Sequence, residues 1–263
     1  MSSVNPHSTD EFRRIAEQGL ILQCLVGSGL HGTAVEGQDD RDEMGICVEP
    51  PDYVIGLESF EQYIFRTQPD GARSGPGDLD LVVYSLRKWV RLAAAGNPTV
   101  LLPLFVPPEH VVRTTALGDN LRANADLLIS RRAGERFAGY LRSQRDRLLG
   151  VRGGRHTNRP ELEELYGFDT KYAMHMVRLG VQGVELLETG RITLPIAEPW
   201  LTWLRDLRQG RHTKDEALQA AAELEARLDK LVQCSPLPAG PNVDAINWWL
   251  VDAYRRTWAE SDN

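Results

Sequence analysis

The chain has 263 residues, of which 42% are hydrophobic and 25% are charged, and this is the composition of an ordinary globular protein. A chain of this length buries roughly 70–75% of the surface that its unfolded form exposes, so it needs neither disulfides nor a structural metal to fold. Its net charge of −7 argues against a protein that coats nucleic acid through its overall charge, but it leaves room for a local basic patch.

The cysteines and the apolar segments indicate the compartment. Cys24, Cys47 and Cys234 are odd in number, far apart and without a CxxC pair, which excludes a disulfide framework and a zinc ribbon. The N-terminus lacks the apolar run of a signal peptide, and no window reaches the roughly 18 consecutive apolar residues of a membrane span. We therefore expect a cytoplasmic protein without a membrane partner.

The chain begins with signals for a helix and a strand. A helix is predicted from Thr9 to about Gln18, with Thr9 as its N-cap. The apolar residues 20–26 then predict a buried strand, which stops at a glycine-rich turn over residues 27–29.

Further short elements follow before residue 110. A second strand is predicted over residues 43–48, and residues 53–66 form a less regular stretch. Residues 68–77 are rich in glycine and proline, which is typical of an exposed, mobile loop. Residues 78–84 alternate as a strand and pass directly into a helix that begins at Leu86.

The rest of the chain has helical periodicity. One or two helices are predicted over residues 121–147. Further helices are predicted over residues 170–188, where Gly190 ends the helix, and over 213–232 and 244–258, and Thr213 and Glu216 form a capping box. The fold class is therefore α+β: a small mixed β-sheet with flanking helices, followed by a mainly helical C-terminal region. We place the domain boundary near residue 110, which gives domains 1–110 and 111–263.

Paired carboxylates mark the start of the second strand. Gly-Ser-Gly-Leu-His-Gly at residues 27–32 is followed by Asp39-Asp40-Arg41-Asp42. Because alternate strand residues point the same way, Asp40 and Asp42 project together. Two carboxylates about 4 Å apart repel by roughly 4 kcal/mol at an effective dielectric of about 20, so water must screen them or a cation must bridge them. If the pair is buried, we expect Mg²⁺ or Mn²⁺, since hard cations prefer oxygen ligands.

The glycines before these carboxylates suit a phosphate group. Gly27 lets the backbone approach a triphosphate closely, and Ser28 offers a hydroxyl and an N–H. The alternative is an ordinary glycine turn followed by a solvated acidic loop. The glycine segment alone, or the acidic segment alone, would favour this alternative. The order and spacing of the two halves favour the phosphate and metal site.

These motifs carry a family resemblance. GSGLHGTAVEGQDDRDEMGI resembles the GS…G…DxD signature of the DNA polymerase beta nucleotidyltransferase superfamily, and more closely its branch of predicted nucleotidyltransferases found near RNA ligase genes. DLDLVVYSLRKWVRLAAAGNPTVL and FDTKYAMHMVRLGVQGVELLETG are similar to further segments of that branch. Together the matches cover most of residues 20–192.

The resemblance implies a nucleotidyltransferase core in residues 1–110 and a helical substrate-binding region after it. It implies Asp40 and Asp42 as metal ligands and Asp80 as the third carboxylate. Asp80 is also credible by itself, because its strand face would otherwise be apolar. In the superfamily's two-metal mechanism, the cations bind the triphosphate, activate the attacking hydroxyl and neutralise the pyrophosphate that leaves.

A basic helix face lies in the C-terminal region. Lys171, His175 and Arg178 fall at i, i+4 and i+7 after Asp169, a natural N-cap. Three potential cations on one face suit the phosphates of a nucleotide or of an acceptor, and Tyr172 offers a stacking surface. A solvated basic face is the alternative that the residues alone favour; with the resemblance we favour nucleotide binding.

The segment Arg131–Arg159 is the strongest basic patch. It contains nine arginines and His156 against Glu135 and Asp146, which indicates an RNA or polyphosphate surface. Pairing of these arginines with the chain's surplus carboxylates is an equally good interpretation.

The sequence thus predicts a metal-dependent nucleotidyltransferase that moves NMP from an NTP to a hydroxyl, with an RNA end as the favoured acceptor. A protein hydroxyl, as in the AMP-transferring antitoxins of the superfamily, or a small molecule stays open as the acceptor. The alternative from another class is a non-catalytic module that senses nucleotide or RNA.

Overall fold

A computed structural model describes residues 6–35, 37, 39–69, 72–151 and 159–261. The chain forms two compact units. The first comprises Met1–Ala93, Val100–Leu128 and Asn242–Asn263, and the second comprises Ala94–Thr99 and Ile129–Pro241. Across the described ranges, no helix has both the length and the apolar character needed to cross a membrane. The domain boundary near residue 110 stays a prediction.

The first unit is built on a five-stranded mixed sheet. Its strands are β1 (Leu20–Val26), β2 (Arg41–Cys47), β3 (Gln62–Arg66), β4 (Leu79–Ser85) and β5 (Val111–Thr114). They lie in the order β3-β4-β2-β1-β5. The central pair β2 and β4 is parallel, and every other neighbouring pair is antiparallel. The sheet and its helices confirm the α+β class.

Helices of the first unit cover the sheet and close its core. They are α1 (Asp10–Gln18), α2 (Gly27–His31), α3 (Leu86–Ala94), α4 (Ala116–Ala123) and α10 (Val243–Ser261). The predicted first helix is confirmed, and the Thr9 side chain caps it by accepting from the Phe12 N–H at 3.2 Å. One core cluster joins α1 to the sheet through Ile15, Ala16, Leu20, Cys47, Phe60, Tyr63 and Val83.

Sequence reasoning missed the two edge strands. β3 lies within the stretch interpreted as irregular, and β5 is a four-residue strand whose side chains are mostly exposed. Both strands are outermost in the sheet that the described residues form. Short edge strands carry little of the apolar alternation that identifies a strand in sequence.

The second unit is helical, as predicted for most of the C-terminal region. Its helices are α5 (Arg132–Leu148), α6 (Pro160–Tyr166), α7 (Thr170–Thr189), α8 (Trp200–Arg208) and α9 (Lys214–Cys234). The end of α7 at Gly190, which has φ +73°, is confirmed, and so is the capping box of Thr213 and Glu216 at α9. The one or two helices predicted over 121–147 are the end of α4 and most of α5, and α6 and α8 were not predicted.

Candidate active site

Three aspartates converge at one end of the central strand pair. Asp42 on β2 is paired in register with Asp80 on the parallel strand β4. Asp40 immediately precedes β2, two residues before Asp42. One carboxylate oxygen from each aspartate lies within 4.8 Å of those from the other two, and all three residues are half-buried. The structure therefore brings together the three carboxylates that the sequence singled out.

This donor set fits a hard divalent cation. All three groups offer carboxylate oxygen, which Mg²⁺ and Mn²⁺ prefer. Two carboxylate charges 4.8 Å apart repel by about 3.5 kcal/mol at an effective dielectric of about 20, and three such pairs share this site. A bound cation would offset that repulsion, so the residues present suit the metal that the resemblance implies.

Gly27 brings the start of α2 against one of these carboxylates. The antiparallel pairing of Val26 with Asp42 places the end of β1 beside β2. Gly27 follows with φ +69°, and a Cβ atom there would lie 2.0 Å from Asp42 Oδ2. A larger residue at this position would force the Asp42 side chain or the backbone to shift. The sequence predicts a tight turn here, whereas the chain forms a short helix over Gly27–His31, in which Ser28 is buried.

Several side chains donate hydrogen bonds to Asp80. Arg66 at the end of β3 forms an ion pair with it, and Gln68 and Ser74 also donate hydrogen bonds to it. Partial burial raises the pKa of Asp80, but the hydrogen bonds from Arg66, Ser74 and Gln68 outweigh burial and hold this pKa below its ordinary value. Asp80 is therefore ionised at neutral pH.

The donors to Asp80 were not identified from the sequence. Residues 68–77 were interpreted as an exposed loop, and residues 70 and 71 lie outside the described part of the chain. The sequence of such a segment does not indicate which residue a polar side chain will contact. Arg66 belongs to β3, an element that sequence reasoning missed, so its pairing with Asp80 could be found only from the strand register.

The predicted basic residues of α7 lie in the second unit. Asp169 caps the helix as predicted, accepting from the N–H groups of Lys171 and Tyr172 at 3.0 Å. The Arg159 guanidinium lies 5.3 Å from the centre of the Tyr172 ring and 3.4 Å from Asp169. The Asp169 cap fixes the first turn of α7, and the contacts of Arg159 with Asp169 and Tyr172 hold Arg159 against that turn.

The expectation of three cations on this helix face requires one correction. Burial lowers the pKa of His175 well below its ordinary value, and the neighbouring charges of Arg178, Lys171, Arg159 and Arg208 lower it further. His175 is therefore a neutral imidazole at pH 7. Burial also lowers the pKa of Arg178 to about 10, so this side chain stays charged, and it donates to Gln182 at 2.8 Å.

The segment Arg131–Arg159 is partly engaged within the chain. Arg152, Arg155 and His156 lie outside the described residues. Arg142 and Arg145 of α5 both form ion pairs with Glu225 of α9. For these two arginines the structure agrees with the second interpretation, pairing with the chain's own carboxylates. Arg132, Arg136 and Arg147 are exposed. These three are the described arginines of the segment that remain available to a polyanion.

A mixed sheet with three convergent carboxylates beside a glycine-initiated helical turn is the arrangement expected of a polymerase beta-like nucleotidyltransferase. The chain belongs to the RNA repair pathway DNA polymerase beta family, RlaP, which residues 4–252 match.

Two individual proteins are also similar to the chain. An uncharacterized 38.9 kDa protein in the nrdC-mobD intergenic region of Enterobacteria phage T4 is 27% identical over 137 residues, which are 51% of this chain and 40% of that protein. The chain thus matches less than half the length of this relative. A nucleotidyltransferase-like protein from Exiguobacterium sibiricum 255-15 is 11% identical, with 93% of this chain and 77% of that chain covered. The TM-score is 0.30, which is too low to support a structural comparison.

Proposed function

We propose that the protein is a metal-dependent nucleotidyltransferase that transfers NMP from an NTP to the hydroxyl of an RNA end and releases pyrophosphate. The observation that carries this proposal is the convergence of the Asp40, Asp42 and Asp80 oxygens within 4.8 Å of one another. Membership in an RNA repair family supports the choice of RNA as the acceptor.

In this proposal the three aspartates hold Mg²⁺ or Mn²⁺. When bound, the cations would shield the triphosphate charge and lower the pKa of the attacking hydroxyl. The acceptor oxygen forms a bond to the α-phosphorus, and the bond from that phosphorus to the oxygen bridging to the β-phosphate breaks. Gly27 and Ser28 bind the triphosphate, because Gly27 places the start of α2 beside the metal-binding carboxylates.

In the second unit, the basic residues of α7 are proposed to bind phosphate groups of a nucleotide. Lys171 and Arg178 supply positive charge to phosphate groups. His175 is neutral, so it binds through a hydrogen bond rather than through charge. The exposed Arg132, Arg136 and Arg147 contact the RNA backbone.

The compartment is a smaller part of the proposal. Cys24, Cys47 and Cys234 are free thiols, which supports a reducing, cytoplasmic setting. Cys24 and Cys47 are buried strand residues, and burial raises the pKa of both thiols, that of Cys24 to about 12. Neither thiol is therefore a nucleophile at neutral pH.

The test follows the label from NTPs labelled at the α-phosphate into an unfractionated cell lysate with Mg²⁺ or Mn²⁺. The unmodified protein should transfer label that RNase removes and protease does not. Asp42→Asn, which keeps the side-chain shape but removes the charge, should transfer none. Label removed by protease instead would identify a protein acceptor. If no NTP gives label although the protein still binds NTP and Mn²⁺, the protein is a sensing module rather than an enzyme.

A further inference from the structure

Arg66 forms a two-point contact with the carboxylate of Asp80. Its Nε donates to Oδ1 at 3.0 Å, and its Nη2 donates to Oδ2 at 3.3 Å. The two residues are directly paired in the antiparallel β3–β4 register, so the backbone holds them side by side. Parallel donation to both oxygens is the geometry in which a guanidinium binds a carboxylate most strongly.

Two neutral side chains complete the contacts to the same carboxylate. Gln68 Nε2 donates to Oδ1 at 2.8 Å, and Ser74 Oγ donates to Oδ2 at 2.8 Å. Arg66 Nη2 also donates to Ser74 Oγ at 2.9 Å, which ties the charged and neutral donors together. Asp80 thus accepts four hydrogen bonds, and an ionised carboxylate has about four lone-pair sites.

These contacts conflict with metal coordination at Asp80. A cation binds a carboxylate through the same lone pairs that the four donors use, so at least one donor has to leave when a cation binds. The donor that a cation displaces most readily is Arg66, because its positive charge is repelled by the cation, whereas Gln68 and Ser74 are neutral. The triphosphate that the same cation binds would then offer the displaced guanidinium a new anionic partner.

We propose that Arg66 is an exchangeable counter-ion: it binds Asp80 in the nucleotide-free protein and moves to the triphosphate when the NTP and its divalent cation bind. This inference rests on the metal site of the proposed function. In this inference Arg66 weakens metal binding when NTP is absent and strengthens the binding of NTP. A purely structural ion pair would not produce these two opposite effects.

The test measures Mn²⁺ binding and nucleotide binding separately. Free Mn²⁺ is followed by electron paramagnetic resonance without nucleotide, and the Kd for a non-hydrolysable NTP analogue is measured with Mn²⁺ present. In Arg66→Gln the Mn²⁺ affinity should rise about tenfold, because the competing charge is gone, and the analogue should bind about tenfold more weakly. Mn²⁺ affinity that stays the same or falls in this variant would overturn the inference.

Two further variants control for charge and folding. Arg113→Gln removes an exposed arginine from β5 at the opposite edge of the sheet, and both affinities should match those of the unmodified protein. Arg66→Lys keeps the charge but loses the two-point geometry, so Mn²⁺ affinity should stay within about twofold while the analogue binds more weakly. Unchanged analogue binding in Arg66→Lys would overturn the exchange even if Arg66→Gln failed to fold.

Failure of this inference differs from failure of the proposed function. If Asp42→Asn and Asp80→Asn bind Mn²⁺ as well as the unmodified protein, the metal site itself is wrong, whatever Arg66 does. If both variants lose Mn²⁺ binding while Arg66→Gln changes neither affinity, only the exchange by Arg66 is refuted.

Discussion

Gly27→Ala is expected to disable the metal site through one added methyl group. The new Cβ would lie 2.0 Å from Asp42 Oδ2, 2.8 Å from its Cγ and 2.9 Å from its Cβ. Ordinary contact begins at 3.4 Å, so Oδ2 has to retreat by 3.4 − 2.0 = 1.4 Å or the backbone has to shift. Metal–ligand distances in proteins lie within about 0.2 Å of their usual values, so a retreat of this size would take Asp42 Oδ2 out of reach of the cation.

The expected size of the effect has two parts. The left-handed φ of +69° costs an alanine about 1–2 kcal/mol of folding free energy. Loss of a metal ligand should weaken Mn²⁺ binding by at least about 10- to 100-fold, since removing even an outer-shell partner of a metal ligand has this effect. The variant should therefore fold, with reduced stability and a much larger loss of Mn²⁺ affinity.

The assay measures Mn²⁺ affinity without nucleotide, and the free energy of unfolding by urea. Gly29→Ala is the matched control, because it adds the same methyl group two residues further along α2, where no atom lies within 4 Å of the new Cβ. This control should gain about 0.5–1 kcal/mol of stability and keep its Mn²⁺ affinity. If Gly27→Ala bound Mn²⁺ as tightly as Gly29→Ala, the proposed contact between Gly27 and a metal-binding Asp42 would be refuted.

Three further expectations concern stability, pH and metal removal. Thr213→Ala removes the capping box at α9 and should lower the free energy of unfolding by about 1 kcal/mol, whereas Thr213→Ser should retain it; equal stability of the two variants would contradict this. Glu49 is buried and accepts from the Leu86 N–H, and burial raises its pKa above the ordinary value of 4.5. The stabilisation by Glu49 is therefore complete below pH 4.5 and is lost as the pH rises through its folded pKa. In urea unfolding, the stability of Glu49→Gln relative to the unmodified protein should therefore increase as the pH rises from 4.5 through the folded pKa of Glu49, and a difference that does not change with pH would refute the raised pKa. Chelation by EDTA should abolish nucleotidyl transfer, and added Mn²⁺ should restore it; transfer that persists in EDTA would exclude a metal mechanism.

Local signals account for the parts of the fold that the sequence predicted. The Thr9 cap, the positive φ at Gly190 and the capping box of Thr213 and Glu216 each depend on residues within a few positions of one another. The apolar run of β1 is equally local. Such features are readable because the interacting atoms are close in the chain whatever the tertiary fold is.

The candidate site was only partly readable for the same reason. The spacing of Asp40 and Asp42 is local, whereas Asp80 was implied by the family resemblance and supported by its place on an otherwise apolar strand face. Their meeting within 4.8 Å requires the parallel pairing of β2 with β4, which joins residues about 40 positions apart. The family resemblance implied Asp80 as the third carboxylate, and the structure shows the strand pairing that brings it beside Asp42.

The amino-acid sequence by itself determined the α+β class, most of the helices and the three carboxylates, because periodicity, caps and motifs are encoded over short spans. Only the tertiary structure decided what surrounds those groups. In the folded chain Arg66 forms an ion pair with Asp80, and Arg142 forms one with Glu225. Burial and neighbouring charges lower the pKa of His175, so its imidazole is neutral. Charge state and ion pairing depend on burial and on neighbours distant in the chain, and neither exists until the chain has folded.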